Sequence, residues 1–203
     1  MEKSVVKNTY YALRHGFSEK NELSLVVNFP EARPYHLTEK GIEQVKKGSA
    51  WLKSEHIDCI YASDLTRTRE SAEIAVEIIG NGVKVGFDER LRELNFGVYN
   101  DKTHDEWYAF FDDHDDVSER FKKRPEGGEN YADVVARMSD FLYDMEARHQ
   151  GKHILLVSHG DPLWLLQWAS WCVSSNVLKD VPFPETGKVV KLDVRCPPSK
   201  SNL

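Results

Sequence analysis

Two short apolar runs, residues 9–13 and 154–157, each give way to a histidine followed by glycine. The first leads into Arg14-His15-Gly16 and the second into Ser158-His159-Gly160. The first run, TYYAL, is β-type, and the second, ILLV, is the unbroken apolar stretch expected of a strand covered on both faces. A glycine behind each histidine lets another group come close to the backbone. Between and after these runs the apolar period changes to that of helices. Thr38 can cap a helix to about residue 54, with Ile42, Val45 and Leu52 on its inner side. Residues 58–61 read as a short strand. A helix then runs to Ile79, with Ala72, Ala75 and Val76 at helical spacing. Gly80-Asn81-Gly82 turns the chain into a strand over 83–87, Asn130 can cap a helix to about 149, and a weak last strand spans 188–194. Strands alternating with helices predict an α/β domain in three layers, a mainly parallel sheet with helices on both faces. Functional groups in such folds gather beyond the carboxyl ends of the strands, where His15 and His159 stand.

The remaining segments are less regular. Residues 17–37, with Pro30 and Pro34, read as a long loop of the kind that usually carries function. Residues 98–128 read as a surface insertion over the site, built of short helices and including Asp112-Asp113-His114-Asp115-Asp116. These consecutive acids lack the spacing of a calcium loop and read as solvated surface. Asp161-Pro162 predicts a helix start with Asp161 as N-cap. Trp164, Trp168 and Trp171 then fall on one helical face and read as core. The end beyond Pro197 is expected to fray.

With 203 residues the chain is long enough for one domain, 1–203, with a sizeable core. Its 27 Lys and Arg against 33 Asp and Glu leave a formal charge of −6, which argues against nucleic acid as a partner. The most apolar stretch, residues 162–173, is too short to span a bilayer, and the first residues lack a signal-peptide core. Cys59, Cys172 and Cys196 form no CxxC pair; Cys59 and Cys172 read as buried small hydrophobes. A cytoplasmic location is expected, and monomer and homodimer both stay open.

A strand-end histidine alone is more often structural than catalytic, but here further patterns fall in order between the two. Arg14-His15-Gly16-Phe17-Ser18-Glu19-Lys20-Asn21 is similar to RHGxTxxN, with Ser for Thr. Leu37-Thr38 with Gly41 and Gln44 matches LTxxGxxQ, and Ser63-Asp64-Leu65 with Arg67-Thr68 and Ser71-Ala72 is similar to SDLxRTxxTA. Leu91-Arg92-Glu93 with Phe96-Gly97 matches LRExxFG, Gly127-Gly128-Glu129-Asn130 stands near GGES, and Ser158-His159-Gly160 closes the set. In these motifs the chain resembles the histidine phosphatase superfamily, in the branch that includes phosphoglycerate mutases.

The resemblance implies a phosphoglycerate mutase-like fold and phosphoryl transfer. It makes His15 the nucleophile that accepts the phosphoryl group, Glu93 the proton donor, and His159 a further catalytic and phosphate-binding group. Arg14 and Arg67 would grip the phosphate, since their planar forks match its oxygens; Asn21, Ser18 and Gly160 are candidates for lesser contacts. His159 can add a donor if protonated. His15 must be neutral at the attacking nitrogen, so its other nitrogen should donate to a backbone carbonyl. No metal and no cofactor is implied, because the cationic side chains supply the charge. Arg69 and Arg67 lie two apart, so Arg69 is expected on the surface. Glu129 is expected to orient or cap. Asp161 competes with Glu93 as acid, though its expected capping role comes first.

Among activities, mutases of this type resemble each other through an RHYG-type stretch with Tyr where Phe96 stands, and through a longer insertion. Both departures favour a metal-independent phosphatase, a phosphomonoesterase acting on a small phosphate ester, over a mutase. A binding module that has lost catalysis is the remaining reading. The acid run at 112–116 suggests a substrate that is not a polyanion.

Overall fold

The computed structural model describes residues 6–113, 116–171 and 175–195. The first apolar run forms β1 (Thr9–Arg14), followed by a one-turn helix α1 (Glu19–Glu22) and a two-residue strand β2 (Leu25–Val26). Next come α2 (Glu39–Ser49), which tightens into a 3₁₀ turn over Ala50–Ser54, then β3 (Cys59–Ala62), α3 (Thr66–Ile79) and β4 (Val85–Phe87). The insertion holds β5 (Lys102–Thr103), α4 (His104–Tyr108) and α5 (Val117–Lys122). The chain then forms α6 (Tyr131–Arg148), β6 (His153–Ser158), α7 (Gly160–Ser170) and β7 (Val189–Lys191).

Five strands form the main sheet among the described residues, in the order β4-β3-β6-β1-β7. All neighbours are parallel except β7, which runs against β1. Side chains alternate along the central strands and divide the core in two. Tyr11, Leu13, Leu155 and Val157 face α2 and α3 with Val45, Leu52, Ala72 and Ala75. Tyr10, Ala12, Ile154 and Leu156 face the opposite side, against α6 and α7 with Val135, Met138, Leu142 and Leu163. The expected three layers follow from this alternation, each fully buried aliphatic side chain contributing about 1.5–3 kcal/mol by leaving water. The register aligns Arg14 with Ser158 and Ala62 with Val157. His15, His159 and Ser63 therefore emerge side by side from one sheet edge.

Several expectations need correction. The loop at 17–37 contains α1, closed by a Ser18–Asn21 capping box, and β2, which pairs antiparallel with β5. The insertion is not merely surface: Trp107 and Phe111 are buried in the core, because aromatic side chains on its short helices close over the sheet edge. Asp161 is not an N-cap. His159 holds the extended capping backbone (φ −122°, ψ −178°), and Asp161 lies within the first turn of α7. Pro162 permits this earlier start, since none of the first-turn N–H groups has a partner within the helix. Cys59 is half-buried rather than buried; Cys172, Cys196 and the end beyond Pro197 lie outside the described residues. Trp164 is buried, and Trp168 and Trp171 pack partly buried against the same core. Among the described residues no helix is long and apolar enough to cross a membrane.

Candidate active site

His15 follows the last residue of β1 and is wholly buried. Its Nδ1–H donates to a backbone carbonyl, the kind of partner expected from sequence, which the structure identifies as that of Gly16 at 2.8 Å. Nε2 is thereby left as an acceptor, and the Arg67 Nε–H lies 3.3 Å away. Burial, with Arg67 and Arg14 nearby, holds the imidazole far below its ordinary value of 6.5, so it is neutral. The bend around it is docked on α2. The Phe17 N–H donates to the Gln44 side chain, the Thr38 hydroxyl donates to the Phe17 carbonyl, and the Gly16 N–H donates to Ser71.

Arg67, in the first turn of α3, is also wholly buried and uses every nitrogen of its guanidinium. Besides His15 it donates from Nη1 to Glu31 (3.0 Å) and from Nη2 to the Val27 carbonyl (2.9 Å) and His159 Nδ1 (3.1 Å). His159 Nε2–H then donates to Ser63 Oγ at 2.9 Å. Burial and the neighbouring Arg67 keep His159 well below the ordinary histidine value. It is therefore a neutral acceptor here, not the protonated donor considered above, because a second charge beside Arg67 in a dry site costs too much. The two imidazole centroids are 5.2 Å apart. Arg69 stacks instead on Phe87 at the surface, 4.0 Å from the ring centroid.

Beside Arg14 and Gly160, the neighbours of the two histidines in sequence, opens a cavity of about 370 Å³, walled also by Lys20, Glu93, Trp107, Asp161 and Trp164, among others. The Arg14 guanidinium donates to the Pro184 carbonyl and lies over Phe183, while its buried Nε has no partner. Glu93 is buried, with Oε1 accepting from the Leu94 N–H at 3.0 Å. Burial first, and then the nearby Asp161, raise its pKa. Arg137 holds this turn by donating to the carbonyls of Arg90, Arg92 and Glu93, and Glu129 pairs with Arg137 at 2.9 Å. Glu129 therefore orients the turn through Arg137. Asp161 Oδ1 accepts from the Tyr131 hydroxyl, which accepts from Arg120.

The structure thus joins His15, Arg67 and His159 by hydrogen bonds and sets Arg14, Glu93 and Gly160 on the cavity wall. It ties Ser18 and Asn21 to one another: Ser18 N–H and Oγ–H both donate to Asn21 Oδ1, and Ser18 is wholly buried. The residue of that turn that reaches the cavity is Lys20, which sequence reasoning passed over although it stands inside the first motif. Glu31, His104, Arg120 and Arg137 were missed as well. Nothing in the local sequence marks them, since each reaches the site from a distant segment.

Residues 10–195 match the family model described as "Histidine phosphatase superfamily (branch 1)". The chain belongs to this superfamily. Among curated proteins it is 32% identical over 165 residues to the "Probable phosphoglycerate mutase GpmB" of Photorhabdus laumondii, covering 77% of this chain and 71% of that one. It is 29% identical over 153 residues to phosphoserine phosphatase 1 of Hydrogenobacter thermophilus, covering 74% and 70%. Among solved structures, Bacillus stearothermophilus YhfR superposes with a TM-score of 0.75 at 28% identity, covering 90% of this chain and 89% of that one. The relatives thus carry both phosphatase and mutase names.

Proposed function

We propose that the protein is a phosphomonoesterase that hydrolyses a small phosphate ester through a phosphohistidine on His15. The observation that carries this reading is the His15 imidazole: neutral, fixed by the Gly16 carbonyl, with Nε2 turned toward Arg67. Nε2 attacks phosphorus while the ester P–O bond breaks. Glu93, whose pKa burial raises, delivers a proton to the leaving oxygen. Water then attacks phosphorus, Glu93 takes up its proton, and the P–N bond breaks to release inorganic phosphate. Dividing one displacement into two lowers each barrier. The arginines hold the equatorial oxygens, and the phosphoryl group takes over donors that Arg67 now gives to the two histidines.

Hydrolysis is favoured over mutase chemistry by the segment after Glu93. Phe96 stands where mutases of this kind have Tyr, and it packs edge-to-face on Trp107, 5.2 Å between centroids. The likeness to GpmB supports the mutase as a second reading. Incubation with an aryl phosphate, and separately with 3-phosphoglycerate plus bisphosphoglycerate, separates the two. Phosphate release is expected to exceed isomerisation, and His15→Ala is expected to reduce release to background. Isomerisation faster than release would establish the mutase; background release from both proteins would establish a binding module.

A further inference from the structure

A guanidinium is a planar fork that can donate from its side and from its end. The side of Arg67, Nε and Nη2, faces the His15 and His159 imidazoles at 3.3 and 3.1 Å. Its end, Nη1 and Nη2, faces the loop before α2, where Glu31 Oε1 and the Val27 carbonyl accept at 3.0 and 2.9 Å. Among the described residues Glu31 is the carboxylate paired with Arg67, and its side chain is only 12% exposed.

The second oxygen of Glu31 is committed to the helix that carries Arg67. Leu65, at the N-cap of α3, offers no side-chain acceptor, which leaves the first N–H groups of the helix open. Glu31 Oε2 accepts from the Thr66 N–H at 3.1 Å and from the Thr66 hydroxyl at 2.8 Å. The dipole at a helix N-terminus favours a carboxylate there. One carboxylate therefore joins the start of α3 to the guanidinium one residue along. Asn100, just before β5, fixes the loop that brings it: its side chain accepts from the Asn28 N–H and donates to the Asn28 and Pro30 carbonyls. Burial works against the Arg67 charge while Glu93 and Glu31 favour it, and of the two Glu31 is hydrogen-bonded to it. With its end held in this way, the guanidinium keeps its side turned toward the two imidazoles. Glu31 also places a negative charge behind the cation, which weakens its hold on an anion.

We propose that Glu31 is a positioning residue for phosphoryl transfer: it fixes the side of Arg67 that meets the phosphoryl group without touching the substrate itself. This rests on the reading that Arg67 grips that group. Calorimetric binding of orthovanadate and of inorganic phosphate to the full chain tests it. Vanadate adopts the five-coordinate geometry of the transferring group, whereas phosphate keeps the tetrahedral one. Glu31→Ala should weaken vanadate binding about tenfold or more, since misplaced donors cost most where the geometry is most demanding. Phosphate should bind no more weakly, because the charge removed had opposed it. A role in folding alone would weaken both anions together. Glu31→Gln keeps the shape and one acceptor, and should lower the preference for vanadate in the same direction by less. In turnover Glu31→Ala should lose kcat with no rise in KM. Equal weakening of the two anions, or an unchanged preference in either variant that folds, would overturn the role of Glu31 alone. A wild-type protein that binds neither anion would retire the phosphatase reading and this inference with it.

Discussion

Neighbours pull the Glu93 carboxyl in opposite directions. Burial and Asp161 favour the proton, whereas Lys20 and Arg67 favour its loss, and desolvation is the largest of these effects. In the proposed reaction the acid must begin protonated, so the rate should fall as pH rises through this raised value. Glu93→Gln is expected to lower kcat about 100- to 10,000-fold for alkyl phosphates, and less for an aryl phosphate whose leaving group needs no proton. It should also abolish the alkaline decline; a pH–rate profile that keeps this limb in Glu93→Gln would assign the acid elsewhere, with Asp161 the first candidate. At this scale the sequence was informative where a residue acts through its own backbone. The His15–Gly16 bond joins adjacent residues and could be anticipated. The state of His159 could not, because it depends on Arg67, 92 positions away.

Elements lock the bend after β1 through contacts that explain why the motifs have their spacing. Thr38 both caps α2, accepting from the Gly41 N–H, and donates to the Phe17 carbonyl; Gln44, one and a half turns on, accepts from the Phe17 N–H. Backbone meets backbone at Gly41, where a β-carbon would overlap the Phe17 carbonyl. Gly41→Ala should therefore cost about 1–3 kcal/mol through overpacking and displace His15, lowering kcat by more than a comparable exposed helix substitution. Urea unfolding and phosphate release on the same protein check this; a variant with full stability and full rate would show that the bend tolerates separation from α2. The LTxxGxxQ pattern was readable as a resemblance, and Thr38 as a cap, but its docking role needed the fold. The start of α7 was misread for the reverse reason: Asp before Pro is a sound local signal, yet the backbone becomes helical as soon as it leaves the sheet edge.

Across the whole molecule, several buried titratable groups make stability depend on pH. Folded His15 and His159 bind protons only well below 6.5, whereas in the unfolded chain they titrate near that value. Below 6.5 the unfolded state thus binds more protons, and stability falls with pH by about 1.4 kcal/mol per pH unit for each histidine. Glu93 acts in the opposite sense between the ordinary carboxylate value and its raised one, so it offsets part of the loss at the acid end. Unfolding free energies measured by denaturant titration across this range should show the slope, and His159→Gln should reduce it by about one proton; an unchanged slope would mean that His159 is charged in the folded protein. The sequence by itself determined the alternation of strands and helices and the two apolar strands that end in histidine; the cationic set suited to a phosphoryl group was implied by the family resemblance. The alternation and the strand ends are signals carried by nearest neighbours and by periodicity. Only the tertiary structure decided which groups face the cavity and which protons they hold. Lys20, Glu31, His104, Arg120 and Arg137 reach the site from separate segments, and their charges acquire meaning only where burial removes water and leaves distant side chains as the remaining partners.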